Sequence, residues 1–225
     1  MKLNLFFISV VVGYMFWGTL SAMACTGITL KSQNGTAVVA RTIEWGGSNL
    51  NSQYVIVPRG YSEQSFTPDG QNGMVFIARY GYVGLAVEQK EFIAEGINEA
   101  GLSAGLFYFP HYGEYEDYDK KVADSSISDF QLVSWILGRC TTLEEVKEAV
   151  ANVHIINIDS RASTVHWRFA DQTGRQLVLE IIGKETHFYE NNLGVLTNSP
   201  GFEWHLTNLN NYVNLYPGTC LLYTS

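Results

Sequence analysis

Residues 1–24 set where the folded chain must begin. Lys2 carries the only charge in this stretch, and an apolar run extends from Leu3 to Leu20. Ser21-Ala22-Met23-Ala24 then places small residues at the two positions a signal peptidase inspects. The pattern predicts a secretory signal peptide over 1–24, removed after Ala24, and hence a secreted or periplasmic product. Gly13 and the small-residue ending argue against a permanent anchor, and no later stretch is apolar enough to span a bilayer. The mature chain would start at Cys25.

Two readings of that cysteine exclude each other. In one, Cys25 is lipidated and the product is a non-enzymatic surface lipoprotein. A lipobox normally has a bulky aliphatic residue three places before its cysteine, where this chain has Ala22. In the other, the Cys25 thiol is a nucleophile and its own α-amine is the base. The reference pKa values are about 8.5 for a thiol and about 7.7–8.0 for an α-amine, so the amine can accept the thiol proton near neutral pH. An acylated amine cannot.

Composition narrows the partners. The 225 residues carry 14 lysines plus arginines against 22 acids, a formal charge of −8. With no basic excess to displace counterions, nucleic acid is excluded as a natural partner. Three cysteines make no disulfide framework. His111, His154, His166, His187 and His205 lack metal-ligand spacing, and no phosphate-binding glycine loop occurs. No metal or nucleotide cofactor is implied.

Periodicity predicts strands first. Gly27–Leu30 and Ala37–Arg41 flank a hairpin signal at Asn34-Gly35. Tyr54–Val57, Met74–Arg79, Phe92–Glu95 and Leu102–Leu106 continue the series, and Tyr112–Asp124 reads as an exposed acidic loop. Two helices follow, each behind an expected capping box, Ser128 with Gln131 and Thr142 with Glu145. Strands return at Thr164–Phe169, Gln176–Ile182, Phe188–Tyr189 and Gly194–Thr197. Strands, paired helices, then strands indicate an α+β layered fold rather than βαβ units.

If Cys25 is the nucleophile, Arg41 is the expected cation beside it, at the end of the strand next to the first. Nearby positive charge favours thiolate. Glu44 lies three residues on, where it could orient the ammonium form of the amine; a plain Arg41–Glu44 salt bridge at a strand end accounts for the same residues.

Cys25-Thr26-Gly27 and Arg41-Thr42-Ile43-Glu44-Trp45 resemble the opening of the choloylglycine hydrolase family, which includes bile salt hydrolases and penicillin V acylases. The resemblance continues through Glu95–Leu102 and Ser103–Leu106, and is densest from Gly194-Val195-Leu196-Thr197-Asn198-Ser199-Pro200 to Tyr212. It covers residues 25–219, leaving Cys220–Ser225 as a tail that matches nothing expected there. It implies the Ntn-hydrolase αββα four-layer sandwich, with Cys25 attacking an amide carbonyl, Arg41 beside the thiol, Glu44 where many members have Asp, and Asn198 donating to the oxyanion. It further implies hydrolysis of glycine- or taurine-conjugated bile acids, with penicillin V as the alternative substrate, and a homotetramer in the full-length form.

Two departures accompany the resemblance. Many bile salt hydrolases have Asn after the Ala-Gly-Leu match, where this chain has Phe107 and Tyr108, and some penicillin acylases carry Tyr in this region. Phe107 and Tyr108, with Phe109 and Tyr112, could help line an apolar substrate pocket, although aromatic core packing is the commoner fate of such residues. Family chains also continue past the Asn-Tyr region to a further catalytic Arg and closing strands, so the sandwich is expected to be incomplete at its C-terminal side.

Overall fold

The computed structural model describes residues 25–44, 49–159 and 163–215. The predicted signal peptide and the 220–225 tail lie outside the described residues. In chain order the first strands are β1 (Thr26–Lys31), β2 (Ala37–Thr42), β3 (Gln53–Val57), β4 (Ser62–Gln64), β5 (Val75–Ile77), β6 (Tyr82–Ala86), β7 (Ile93–Asn98), β8 (Ser103–Tyr108) and β9 (Ser126–Ser128). Helices α1 (Leu132–Arg139) and α2 (Leu143–Val150) precede β10 (His154–Ile156), β11 (Val165–Ala170), β12 (Gln176–Ile182), β13 (Glu185–Glu190), β14 (Val195–Thr197) and α3 (Phe202–Leu209).

Seven strands form one antiparallel sheet in the order β13-β12-β11-β8-β7-β6-β3. Its central strands are buried on both faces: β8, β11 and most of β12. One face packs against α1 through Leu132, Val133, Ile136 and Leu137. The other is covered by a three-stranded sheet in the order β14-β1-β2, with Cys25, Phe107, Val178, Leu196 and Phe202 between the two. This is the helix-sheet-sheet part of the Ntn-hydrolase sandwich. Three of the four expected layers are present among the described residues. The outer face of the small sheet shows Ile28, Leu30 and Val38 to solvent, and beyond β2 the large sheet leaves Tyr54 and Ile56 exposed.

Local chemistry explains the elements. The Ser32–Thr36 hairpin closes through Ser32 N–H to the Thr36 carbonyl at 2.9 Å, and β1 pairs with β2 in register from Thr26↔Thr42 to Lys31↔Ala37. The Thr142–Glu145 capping box forms as expected. The Ser128–Gln131 box does not. Ser128 caps a short 3-10 turn through Phe130 N–H, while Gln131 turns away. Its carboxamide oxygen accepts from Phe66 N–H at 2.7 Å and its nitrogen donates to Glu63 at 2.6 Å, tying the β4 segment to the start of α1. A tertiary pair of bonds thus outcompetes the local cap. Tyr112–Asp124 is also less exposed than expected, because Tyr115 is buried with its hydroxyl bonded to the backbone of Val165. Among the described residues no helix is long and apolar enough to cross a membrane.

Burial pushes the Glu63 carboxyl up to about 7, against the pull of its Gln131 hydrogen bond. The folded state therefore holds this proton more tightly than the unfolded chain, and stability falls as pH rises from the ordinary carboxylate range through about 7. Glu63→Gln should flatten that slope by on the order of 1–2 kcal/mol, read from thermal melts at about pH 5 and about pH 7.5. An unchanged slope in the variant contradicts the assignment.

Candidate active site

β1 is the middle strand of the small sheet, and its two ladders converge on one end. On one side Gly27 pairs with Arg41. On the other Thr26 pairs with Thr197, and the same antiparallel register carried one residue further sets Cys25 opposite Asn198. Cys25 is buried, at 5% exposure, with Phe107 and Leu196 in the core between the sheets. A cavity of about 400 Å³ reaches it, with apolar walls including Leu50, Val87, Phe130 and Val165 and polar groups from Arg41, Glu44 and Tyr108. Phe130 is held in that wall by Phe92, itself edge-on to Phe66, at centroid separations of 5.3 and 5.9 Å. The Gln131 tether that fixes Phe66 therefore shapes the cavity.

Arg41 does not pair with Glu44. Its guanidinium lies over Phe107, 4.0 Å from the ring centroid, and donates to the carbonyls of Ala94, at 3.2 Å, and Leu106. Its ionic partner is Glu95 on β7, 3.5 Å away. Glu95 also holds Arg168 of β11 at 3.1 Å, and the Arg168 side chain is only 1% exposed. Burial pushes the Glu95 carboxyl up, opposed by the two arginines, and pulls the Arg168 guanidinium down, opposed by Glu95.

Asn198 is oriented from several sides. Its side-chain oxygen accepts from Tyr108 N–H at 3.2 Å, which assigns the amide nitrogen to the opposite direction. Its strand is clamped by His166, whose Nε2 donates to the Thr197 carbonyl at 2.9 Å while Nδ1 meets Glu180 at 2.9 Å. Glu180 also accepts from Phe202 N–H at the start of α3, and His205 on that helix lies 3.2 Å from the Asn198 carbonyl. His166 and Glu180 are both fully buried.

Residues 25–221 match a family model described as linear amide C–N hydrolases, choloylglycine hydrolase family. The chain belongs to this family. A bile salt hydrolase/transferase of Clostridium perfringens is 32% identical over 199 residues, covering 85% of this chain and 58% of the relative. A conjugated bile acid hydrolase of Lactobacillus gasseri is 28% identical, covering 86% and 61%. A solved structure of a variant of the C. perfringens conjugated bile acid hydrolase superposes with TM-score 0.73 at 31% identity, covering 85% and 58%. The penicillin V acylase of Agrobacterium tumefaciens shares the fold, with TM-score 0.75 at 23% identity, covering 88% and 59%. The chain thus spans about three fifths of the length of these relatives.

Of the residues expected from the sequence of this family member, Cys25, Arg41, Glu44 and Tyr108 meet at the one cavity. Asn198 stands at its edge, across the β1–β14 ladder, rather than in its wall. Phe107 is a correction: it is fully buried between the sheets and supports Arg41 from beneath, because alternation along β8 turns it away from the cavity that Leu106 and Tyr108 face. Phe109, stacked on His166 at 4.3 Å, is also core. Tyr112 is exposed, its ring tilted against Phe109 at a centroid distance of 5.7 Å. Cys140 is a buried thiol at the end of α1, with burial pushing it up to about 12. Glu95 and Arg168 were not foreseen as site residues. The available signal was an arginine in the apolar run Trp167-Arg168-Phe169.

Gly27 makes room for this cluster. A Cβ there would lie 2.4 Å from Arg168 Nη1 and 2.7 Å from Phe107 Cζ. Gly27→Ala should therefore cost about 1–3 kcal/mol through overpacking. A urea midpoint unchanged from wild type contradicts the packing.

Proposed function

We propose that the chain is an exported amidohydrolase that starts at Cys25 and cleaves the C–N amide bond of glycine- or taurine-conjugated bile acids. The observation that carries the reading is the placement of Cys25 and Arg41 at a largely apolar cavity, with the Asn198 carboxamide turned by Tyr108 at its edge. The cavity volume falls in the range of small-molecule sites, about 300–1,000 Å³. The named relatives act on bile salts by their descriptions, and an apolar acyl group suits walls of Leu50, Val87, Phe130 and Val165.

The steps follow from the groups present. The free α-amine of Cys25 takes the thiol proton, and the sulfur attacks the amide carbonyl carbon. The carbonyl oxygen becomes an oxyanion that the Asn198 amide nitrogen can meet. Collapse expels glycine or taurine as the amine, protonated by the α-ammonium, and leaves an acyl thioester. Water then adds to the thioester, gives its proton to the amine and releases the bile acid. Arg41 presents its guanidinium, paired with Glu95, to the cavity that holds the sulfur, and Glu44 can accept a hydrogen bond from the ammonium.

Penicillin V is the second substrate reading, favoured by Tyr108 in the cavity wall. The ratio of taurocholate to penicillin V turnover separates the two.

Mass spectrometry of the exported product should find an unmodified cysteine at its start. A diacylglyceryl adduct, or any other first residue, removes the proposed base. Asn198→Asp keeps the acceptor for Tyr108 N–H while deleting the amide donor, so kcat should fall by about 100- to 1,000-fold with the melt preserved. A variant of near wild-type rate shows that the oxyanion is held elsewhere.

A further inference from the structure

Two guanidinium groups, not one, stand against the strand that begins at Cys25. Arg41 arrives from the neighbouring strand of the small sheet, opposite Gly27. Arg168 arrives from β11 in the large sheet and fills the space left by the missing Gly27 side chain, its Nη1 2.4 Å from where a Cβ would sit. That Nη1 is buried without a hydrogen-bond partner among the described residues. Successive residues of a strand alternate in direction, so Cys25 and Gly27 share the inward face. The second guanidinium therefore lies beneath the nucleophile strand, two residues along from the thiol. Phe107 carries both cations, at 4.0 and 5.4 Å from its centroid.

Charge counting shows what the second cation changes. Arg41 alone with Glu95 is a compensated ion pair and leaves no net charge beside the sulfur. Adding Arg168 to the same carboxylate leaves two cations, one anion and a net positive charge. Burying a guanidinium is expensive, and a buried ion pair is weak evidence of a stabilising role. Gly105 is shaped to the same cluster, since a Cβ there would lie 2.0 Å from Glu95 Oε2.

We propose that Arg168 is a positioning residue for Cys25: through Glu95 it fixes Arg41 against the nucleophile strand, and its uncompensated charge favours the thiolate. The proposal rests on the reading of Cys25 as the nucleophile. The other charged or titratable groups around Cys25 are its own α-amine once freed, Glu44, Glu88 and Tyr108 at the cavity, Tyr189 against the apolar cluster that holds Cys25, and the His166–Glu180 couple farther along β11 and β12.

The test is alkylation of Cys25 by iodoacetamide as a function of pH, read on the Cys25 peptide by mass spectrometry so that Cys140 and Cys220 do not contribute. It needs no substrate turnover and no free α-amine, so its failure is distinguishable from failure of the hydrolase reading. Arg168→Met should slow alkylation at neutral pH by roughly tenfold and displace the rising limb by about one pH unit to the alkaline side. Arg168→Lys should restore most of the rate, because the charge returns. Glu95→Gln should speed alkylation, because both guanidiniums then stand uncompensated. If Arg168→Met does not fold, the double variant Arg168→Met/Glu95→Gln is compared with Glu95→Gln alone, and the double should be slower by a similar factor. A folded Arg168→Met protein with the wild-type curve, or a double variant matching Glu95→Gln, overturns the proposal.

Discussion

The whole site depends on β1 being paired on both edges. Its ladder to β2 delivers Arg41, and its ladder to β14 delivers Asn198, so three residues spread over most of the chain meet at one strand end. Backbone hydrogen bonds fix this meeting more tightly than any single side-chain contact, because a one-residue slip would turn every side chain of β1 to the wrong face. The small sheet is in turn held on the large one by an unusual interior. Phe107, Val178, Leu196 and Phe202 supply the apolar part, and the Arg41–Glu95–Arg168 cluster supplies a charged part beside it.

The Asn198 side of the site is governed by a second buried polar unit. His166 and Glu180 connect β11 and β12 to the Thr197 carbonyl and to the first turn of α3. Both partners come from the large sheet, and what they hold belongs to the small sheet and the helix after it. The two polar units, one under Arg41 and one beside Asn198, thus do the same mechanical job on opposite sides of Cys25. Each is built on adjacent registers of β11, at His166 and Arg168.

Much of this was legible in the sequence where the determinants are local. The Asn34-Gly35 hairpin, the Thr142–Glu145 box and the strand carrying Arg41 each follow from a few neighbouring residues, and each is found. The signal-peptide ending pointed to Cys25, the end of the second strand to Arg41 and Glu44, and the family resemblance to Asn198 and Tyr108; all of these but Asn198 line the cavity. What was missed is long-range. Glu95 and Arg168 sit 73 positions apart and meet only across the β7-β8-β11 part of the sheet. Gln131 bonds to Phe66 rather than to its own helix start, a choice that no window of residues around Ser128 contains. The strand Tyr82–Ala86 was hidden because Gly84 reads as a break, whereas it faces Gly96 across the ladder where a side chain would strike Ile93. Phe107 was assigned to the pocket because aromatic residues beside a motif suit either face, and only the pleat of β8 decides.

Hydrolysis by Cys25 requires a covalent bond to form at one sulfur. Acid-quenching the protein that begins at Cys25 during turnover of taurocholate, then mapping its peptides by mass, tests this most directly. The expected result is a cholyl group on the Cys25 peptide that disappears as substrate is exhausted. Turnover without that adduct, or with the acyl group on any other residue, contradicts it.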